Sequence, residues 1–347
     1  MKRIDFETHF ATQGWIDALY ENKDYPRLER DPETKSLRLV YHPAAREPYG
    51  EPLLEKLVDL GEGRLRLMDE GGVDLALISL TTPGVEQFDV ARGLTMAREA
   101  NDALAEAIDK HPDRYGGFCA LPVKDVDASI GELERSVKEL GLIGWKTHAN
   151  FGDSRPVLGG MYLDEKRYWP LLAKAEELGA LVYLHPTVPS MPDFWTYGVA
   201  LAGPPFGFGI ATAFAMVRLV LSGVFDAFPK LTIVLGHYGE GLPFGMQRID
   251  WAYERPHVKN DMNALMPLKR KPSDYLHDNM VVSTSGNYLP AAFRCTREAL
   301  GMDKILLGTD YPYEDMSEAF AFLEGLGLSS DDKDLLYGGN AVALLGG

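Results

Sequence analysis

Eight short apolar runs punctuate this chain, and a stretch with helical spacing follows each of them. The runs are KRIDFE (2–7), VDLALISL (73–80), GGFCALP (116–122), GLIGWKTH (141–148), ALVYLHP (180–186), LTIVLGH (231–237), NMVVSTS (279–285) and KILLGTD (304–310). Most are β-branched or Leu-rich and do not alternate with polar residues, as expected of strands buried on both faces. The intervening segments carry apolar residues three and four apart. EKLVDLGEGRLRLMDEGG ends in a Gly pair suited to a helix C-cap, and VARGLTMAREANDALAEAIDKHP ends at a Pro. DASIGELERSVKELG and YWPLLAKAEELG follow the same plan, and further helices are expected over 211–223, 242–255, 289–301 and 315–326. Eight strand–helix units predict an α/β chain closed into a (β/α)8 TIM barrel, one domain over residues 1–347. A doubly wound open sheet is the rival fold, but no G-x-G-x-x-G fingerprint follows the first run. Two connections, residues 10–55 after the first strand and 186–210 after the fifth, are long enough to be lid loops or oligomer contacts.

Lys plus Arg is 35 and Asp plus Glu is 51, a formal net charge of -16. With no basic patch visible, nucleic acid is not an expected partner. No run approaches the roughly 18–20 apolar residues of a membrane span, and MKRIDFETHF lacks the apolar core of a signal peptide. A cytoplasmic protein with no membrane partner is therefore expected. Two cysteines, Cys119 and Cys295, suggest no disulfide framework, and Cys119 in GGFCALP is expected in the core.

The runs end in residues that are costly to bury. The first ends at Glu7 and His9, which share a face because strand side chains alternate. The fourth ends in Lys146 and His148, the fifth at His185, the sixth at His237 with Glu240 just beyond, and the eighth at Asp310. Any one of them could cap a helix or bond a loop. In a (β/α)8 barrel, however, strand C-termini converge on one mouth, where active sites lie. Carboxylates and imidazoles meeting there form a mixed N/O set that suits Zn²⁺ or Mn²⁺, suits Cu(I) poorly, and lacks the thiolates of a structural zinc site. His42, His111, His257 and His277 are expected on the surface or in structural roles, with His111-Pro112 at a helix end.

The ordered set Glu7-x-His9, His185 in YLHP, His237 in GHYGEGLP and Asp310 in GTDYPYE resembles the amidohydrolase superfamily. More narrowly the chain is similar to its aminocarboxymuconate-semialdehyde decarboxylase family. Within that group it looks most like the hydroxybenzoate decarboxylases, those acting on γ-resorcylate, 2,3-dihydroxybenzoate and 5-carboxyvanillate. LISLTTPGVEQFD, HPDRYGGFCALP and GHYGEGLPFGMQRID carry the likeness across nearly the whole chain. It implies one divalent metal ion per chain, Mn²⁺ or Zn²⁺, on Glu7, His9, His185 and Asp310. It also implies a His237–Glu240 pair beside the metal, and Arg248, Tyr313 and Lys146 as substrate contacts. Where common superfamily hydrolases begin with His-x-His, this chain has Glu7, which resembles the decarboxylase branch. Lys146 and His148 resemble the strand-four lysine site of binuclear hydrolases; a pocket cation or an acid's partner is the simpler expectation for Lys146.

The implied reaction is non-oxidative loss of CO₂ from an aromatic acid with an ortho hydroxyl, after protonation of the ring carbon. Asp310 is the expected proton donor, assisted by His237 and Glu240. The alternatives are a metal-dependent hydrolase of a cyclic amide or lactone, or a barrel that only binds its ligand. A small aromatic carboxylate is the expected partner, and the resemblance implies a homodimer or homotetramer.

Overall fold

The computed structural model describes residues 2–152, 162–260 and 267–346. Eight parallel strands lie side by side in chain order: β1 (Ile4–Phe10), β2 (Leu75–Leu80), β3 (Tyr115–Cys119), β4 (Gly144–His148), β5 (Leu181–His185), β6 (Ile233–Leu235), β7 (Met280–Ser283) and β8 (Ile305–Leu306). The sheet curls back on itself. Phe6 N donates to Leu307 O at 2.8 Å, Asp310 N to Glu7 O at 2.9 Å and His9 N to Tyr311 O at 2.8 Å. The segment after β8 thus joins β1 and closes a (β/α)8 barrel, as the eight apolar runs predict.

Helices cover the outside where the periodicity places them. Val90–Lys110 buries Met96, Ala97, Ala100 and Leu104, starts on Asp89, whose side chain accepts from Arg92 N, and stops at His111 before Pro112. Asp125 and Asp315 cap Val126–Lys138 and Met316–Gly325 in the same way. Trp169–Leu178 ends on Gly179 at φ 64°, the left-handed cap that glycine adopts most easily. The stretch over 55–72 is two helices, Glu51–Val58 and Glu62–Gly71, instead of one. Asp59 accounts for the break, because its carboxylate takes the Gly61 N–H in a local turn.

The connection over 10–55 is also more structured than a loop. It contains the helix Gln13–Glu21 and a three-stranded antiparallel sheet, Arg27–Arg30, Leu37–His42 and Ala45–Pro48. The segment 186–210 forms only short helical turns.

Two apolar layers pack against the barrel wall. Alternate strand residues such as Ala76, Ile78, Val182, Leu184, Ile233 and Val282 face the helices. Their neighbours Leu77, Phe118, Tyr183, Val234, Val281 and Leu306 fill the barrel interior. The interior positions continue upward as Ser79, His185, Gly236, Ser283, Gly308 and Asp310, so the lumen is apolar below and polar at the C-terminal mouth. β1 departs from strict alternation. Its pairing with β2 shifts register between Asp5 and Thr8. Ile4 and Phe6 belong to the interior cluster below, while Glu7 and His9 face the same interior above it. One irregularity changes the parity of the strand and brings two polar residues to the mouth.

Candidate metal centre

At the mouth, Glu7, His9, His185 and Asp310 present side-chain donor atoms within 4.8 Å of one another. The first three are almost fully buried. Glu7 Oε2 accepts hydrogen bonds from the hydroxyls of Ser283 and Ser285. Its Oε1 is buried without a partner, and 3.6 Å away lies His185 Nε2, also buried and unpartnered. Two facing orphan groups would each cost about 1–3 kcal/mol if nothing satisfied them. A cation is what an oxygen and an imidazole lone pair can share, so the donor set fits one divalent metal ion.

The surrounding groups prepare these ligands. His185 Nδ1 is 3.0 Å from Pro186 O and 3.0 Å from Thr82 Oγ1. A proton on Nδ1, donated to that carbonyl, leaves the Nε2 lone pair facing Glu7. Burial, and then the positive charge of Lys146, push the His185 pKa well below its usual value, so the ring is neutral as a ligand must be. Burial and Lys146 lower that of His9 as well. His9 Nε2 is 2.9 Å from Asp310 Oδ1, and its Nδ1 is 3.3 Å from both Ser79 Oγ and Lys146 Nζ.

His237 and Glu240 form the expected pair, with 2.8 Å between Nδ1 and Oε1. His237 Nε2 lies 3.9 Å from Asp310 Oδ2. Burial alone would favour the neutral ring, but Glu240 and Asp310 outweigh it and hold His237 protonated, its pKa well above the usual value. Asp310 shows the mirror image. Burial would raise its pKa, yet the close His237 and the hydrogen bond to His9, with the positive charge they offer, hold it well below the carboxylate range. The carboxyl expected to donate a proton is thus ionised, with the proton on the adjacent imidazole. Four residues of this region, His237, Tyr238, Glu240 and Asp310, have φ between 53° and 63°. Left-handed backbone at non-glycine residues costs about 1–3 kcal/mol each and clusters at functional sites. Gly286, at φ 59°, runs so close that a Cβ there would sit 2.7 Å from His237 Cδ2.

A cavity of about 550 Å³ opens above the cluster, within the usual range for small-molecule sites. His185, His237, Glu240, Asp310 and Tyr313 line it, with Tyr41, Phe206 and Phe208 from the long connections. The Tyr313 hydroxyl is held by Tyr49 at 2.6 Å and Thr81 at 2.5 Å.

Two residues expected to contact substrate do not line this chain's cavity. Lys146 sits beneath the His9 ring, 2.7 Å from Leu80 O, and does not line the cavity. Burial depresses its pKa to about 7. The β4 interior position that carries it is one level below the mouth. Arg248, on the exposed side of the helix Leu242–Tyr253, stacks over Trp251 at 4.4 Å and does not line this chain's cavity. Its helical phase turns it away from the barrel, since this helix buries Leu242 and Pro243. His148 pairs with Glu86, both oxygens at 3.1 Å from Nδ1, and its Nε2 is 3.3 Å from Thr82 Oγ1. Thr82 therefore links the buried Glu86–His148 pair to His185. Sequence reasoning missed Glu86, Thr82, Ser283, Ser285 and Glu47; all but Glu86, which lies in the loop after β2, are in or beside a strand end, and none stands in a spacing that carries a signal.

The amidohydrolase family model matches residues 4–347. The chain is 36% identical to a gamma-resorcylate decarboxylase of Polaromonas sp. (strain JS666), over 99% of this chain and 98% of that protein. Among solved structures, 5-carboxyvanillate decarboxylase from Sphingomonas paucimobilis superposes with a TM-score of 0.86 at 32% identity, covering 99% and 98% of the two chains. A dihydroxybenzoic acid decarboxylase from Polaromonas sp. JS666, with bound manganese and the inhibitor 2-nitroresorcinol, gives 0.83 at 35% identity, covering 99% and 96%.

Proposed function

We propose, from the premise that this chain belongs to the amidohydrolase family, that it is a metal-dependent, non-oxidative decarboxylase of an ortho-hydroxylated aromatic carboxylic acid. The observation that carries this reading is the facing pair of orphaned groups, Glu7 Oε1 and His185 Nε2, beneath a cavity large enough for an aromatic acid. Glu7, His9, His185 and Asp310 are the proposed ligands of one Mn²⁺ or Zn²⁺ per chain. When bound, such an ion supplies Lewis acidity toward the substrate's carboxylate and phenol oxygens and lowers the phenol's pKa.

The residues do the rest. Asp310 and His237 share the proton that the ring carbon must receive, His237 holding it at rest and Asp310 Oδ2 lying 3.9 Å away toward the ligand cluster. Glu240 keeps His237 oriented and charged. As the ring carbon gains that proton the ring loses aromaticity; the C–C bond then breaks, its electron pair returns to the ring and CO₂ departs. Solvent restores the proton on His237. Tyr313, fixed by Tyr49 and Thr81, bounds the space in which the ring sits.

Among the described residues no helix is long and apolar enough to cross a membrane. A cytoplasmic homodimer or homotetramer is the proposed state, supported by Phe206, Ile210, Phe214 and Leu221, which remain exposed on or beside one helix, Gly207–Leu221. Elemental analysis with a screen of hydroxybenzoates for CO₂ release tests the reading. One metal per chain, and activity lost to a chelator and restored by Mn²⁺, are expected. Two metals with a modified Lys146, or ring opening of a lactone or cyclic amide without CO₂, would overturn it.

A further inference from the structure

The cavity's charge pattern narrows the substrate further, and Glu47 is the residue that does so. It belongs to Ala45–Pro48, the last strand of the small antiparallel sheet over the mouth. Alternation along that strand buries Ala45 and Tyr49 and leaves Arg46 and Pro48 exposed. Glu47 shares the inward face and lines the cavity, with Tyr41 beside its carboxyl. Glu314 lines the same space from beyond β8. With Glu240 and Asp310 the cavity wall carries four acidic side chains, whereas no Lys or Arg among the described residues lines it. His237 is already engaged by Glu240 and Asp310.

One substrate carboxylate can be met by the metal. A second carboxylate on the ring would find no cation among the described residues that line the cavity and would face Glu47 and Glu314 instead. A ring hydroxyl suits the place, because a carboxylate accepts several hydrogen bonds and a hydroxyl can donate one. Burial, opposed by the neighbouring Tyr41 hydroxyl and reinforced by the charge of Asp310, pushes the Glu47 pKa up to about 7, which agrees with a group set in an anionic, enclosed wall.

We infer that Glu47 determines specificity, selecting aromatic monocarboxylates that carry a hydroxyl toward the mouth and rejecting aromatic dicarboxylates. This rests on the decarboxylase reading above for the fate of the carboxylate, but not for the binding preference. The test compares wild type, Glu47→Gln and Glu47→Arg, each loaded with Mn²⁺ and each checked for an unchanged far-ultraviolet spectrum. kcat/KM is measured by CO₂ release from 2,6-dihydroxybenzoate and from 5-carboxyvanillate. Like charges brought together in a desolvated site are unfavourable, and Glu47 is ionised above about pH 7, so at pH 8.5 wild type should prefer the monocarboxylate by about tenfold or more. Glu47→Gln, nearly isosteric, should narrow that ratio by about tenfold, and Glu47→Arg should narrow it further or reverse it. A wild-type preference for the dicarboxylate, or one ratio shared by all three proteins, overturns the inference. Calorimetric binding of 3-hydroxybenzoate and isophthalate separates the two levels. If no acid is decarboxylated the function fails, yet a binding order that weakens in Glu47→Gln and shifts toward isophthalate in Glu47→Arg still upholds Glu47's role. An unchanged order rejects it.

Discussion

Replacing Thr82 by Val isolates the link between the buried Glu86–His148 pair and the metal centre. The two side chains have nearly the same shape, so only the hydroxyl is lost. That hydroxyl lies 3.0 Å from His185 Nδ1, 3.3 Å from His148 Nε2 and 3.2 Å from Pro186 O. Two consequences separate. His148 keeps Glu86 on Nδ1 but loses its Nε2 partner, and an unsatisfied buried group costs about 1–3 kcal/mol of metal-free stability. His185 keeps its contact with Pro186 O but loses one of two restraints on the ring. Outer contacts to metal-bound histidines are worth about 10–100-fold in metal affinity or activity. Each tenfold step is about 1.4 kcal/mol, so metal binding should weaken by about 1.4–2.8 kcal/mol. Mn²⁺ titration against a fluorescent chelator reads the second effect, and urea unfolding of the metal-free protein reads the first. Mn²⁺ affinity within twofold of wild type would refute the idea that Thr82 orients His185; a drop in stability alone would leave the chain as packing support.

Asp310→Asn should reduce turnover at least about 10²-fold while circular dichroism stays native, because the variant keeps the shape but cannot pass a proton from His237; near wild-type rates would remove Asp310 from the proton path. A pH series tests Glu47 on its own. Its pKa stands at about 7 in the folded chain against 4.5 for the free side chain, so the folded state favours the protonated form. The associated stability is present below the unfolded pKa and lost as pH rises through about 7. Melting temperature should therefore fall less steeply between pH 5 and 8 in Glu47→Gln than in wild type, and parallel slopes would contradict a buried, anionic setting for this side chain.

The barrel and the polar cluster at its mouth were legible because both rest on repeated patterns. Fully buried parallel strands such as VDLALISL read as unbroken apolar runs, so a polar residue at the end of one stands out, as Glu7, His9, His185 and Asp310 do. The parity change in β1 was not legible. Side chains two apart share a face in any strand, but the register shift that turns Glu7 to the same interior as Phe6 depends on β2. The small sheet over 27–48 stayed hidden because RLER and AREP are short, charged edge segments whose pairing comes from long-range packing. Glu47 and Glu86 are single acids in ordinary surroundings; only the fold brings them to a cavity or to His148. Arg248 and Lys146 do not line the cavity of this chain for geometric reasons, one by helical phase and one by depth in the barrel.

The closure of the barrel has a consequence for biosynthesis. The seam that hydrogen-bonds β1 to the segment after β8 is also where His9 meets Asp310, 301 residues apart in sequence. A ribosome releases Glu7, His9 and His185 long before Asp310, and domains mature as the chain emerges. Until the last strand arrives, β1 has an unpaired edge and the ligand set lacks its fourth member. If these four residues are the ligands, metal capture waits for the segment after β8: a chain that stops short of it has no finished site in which to trap the wrong ion.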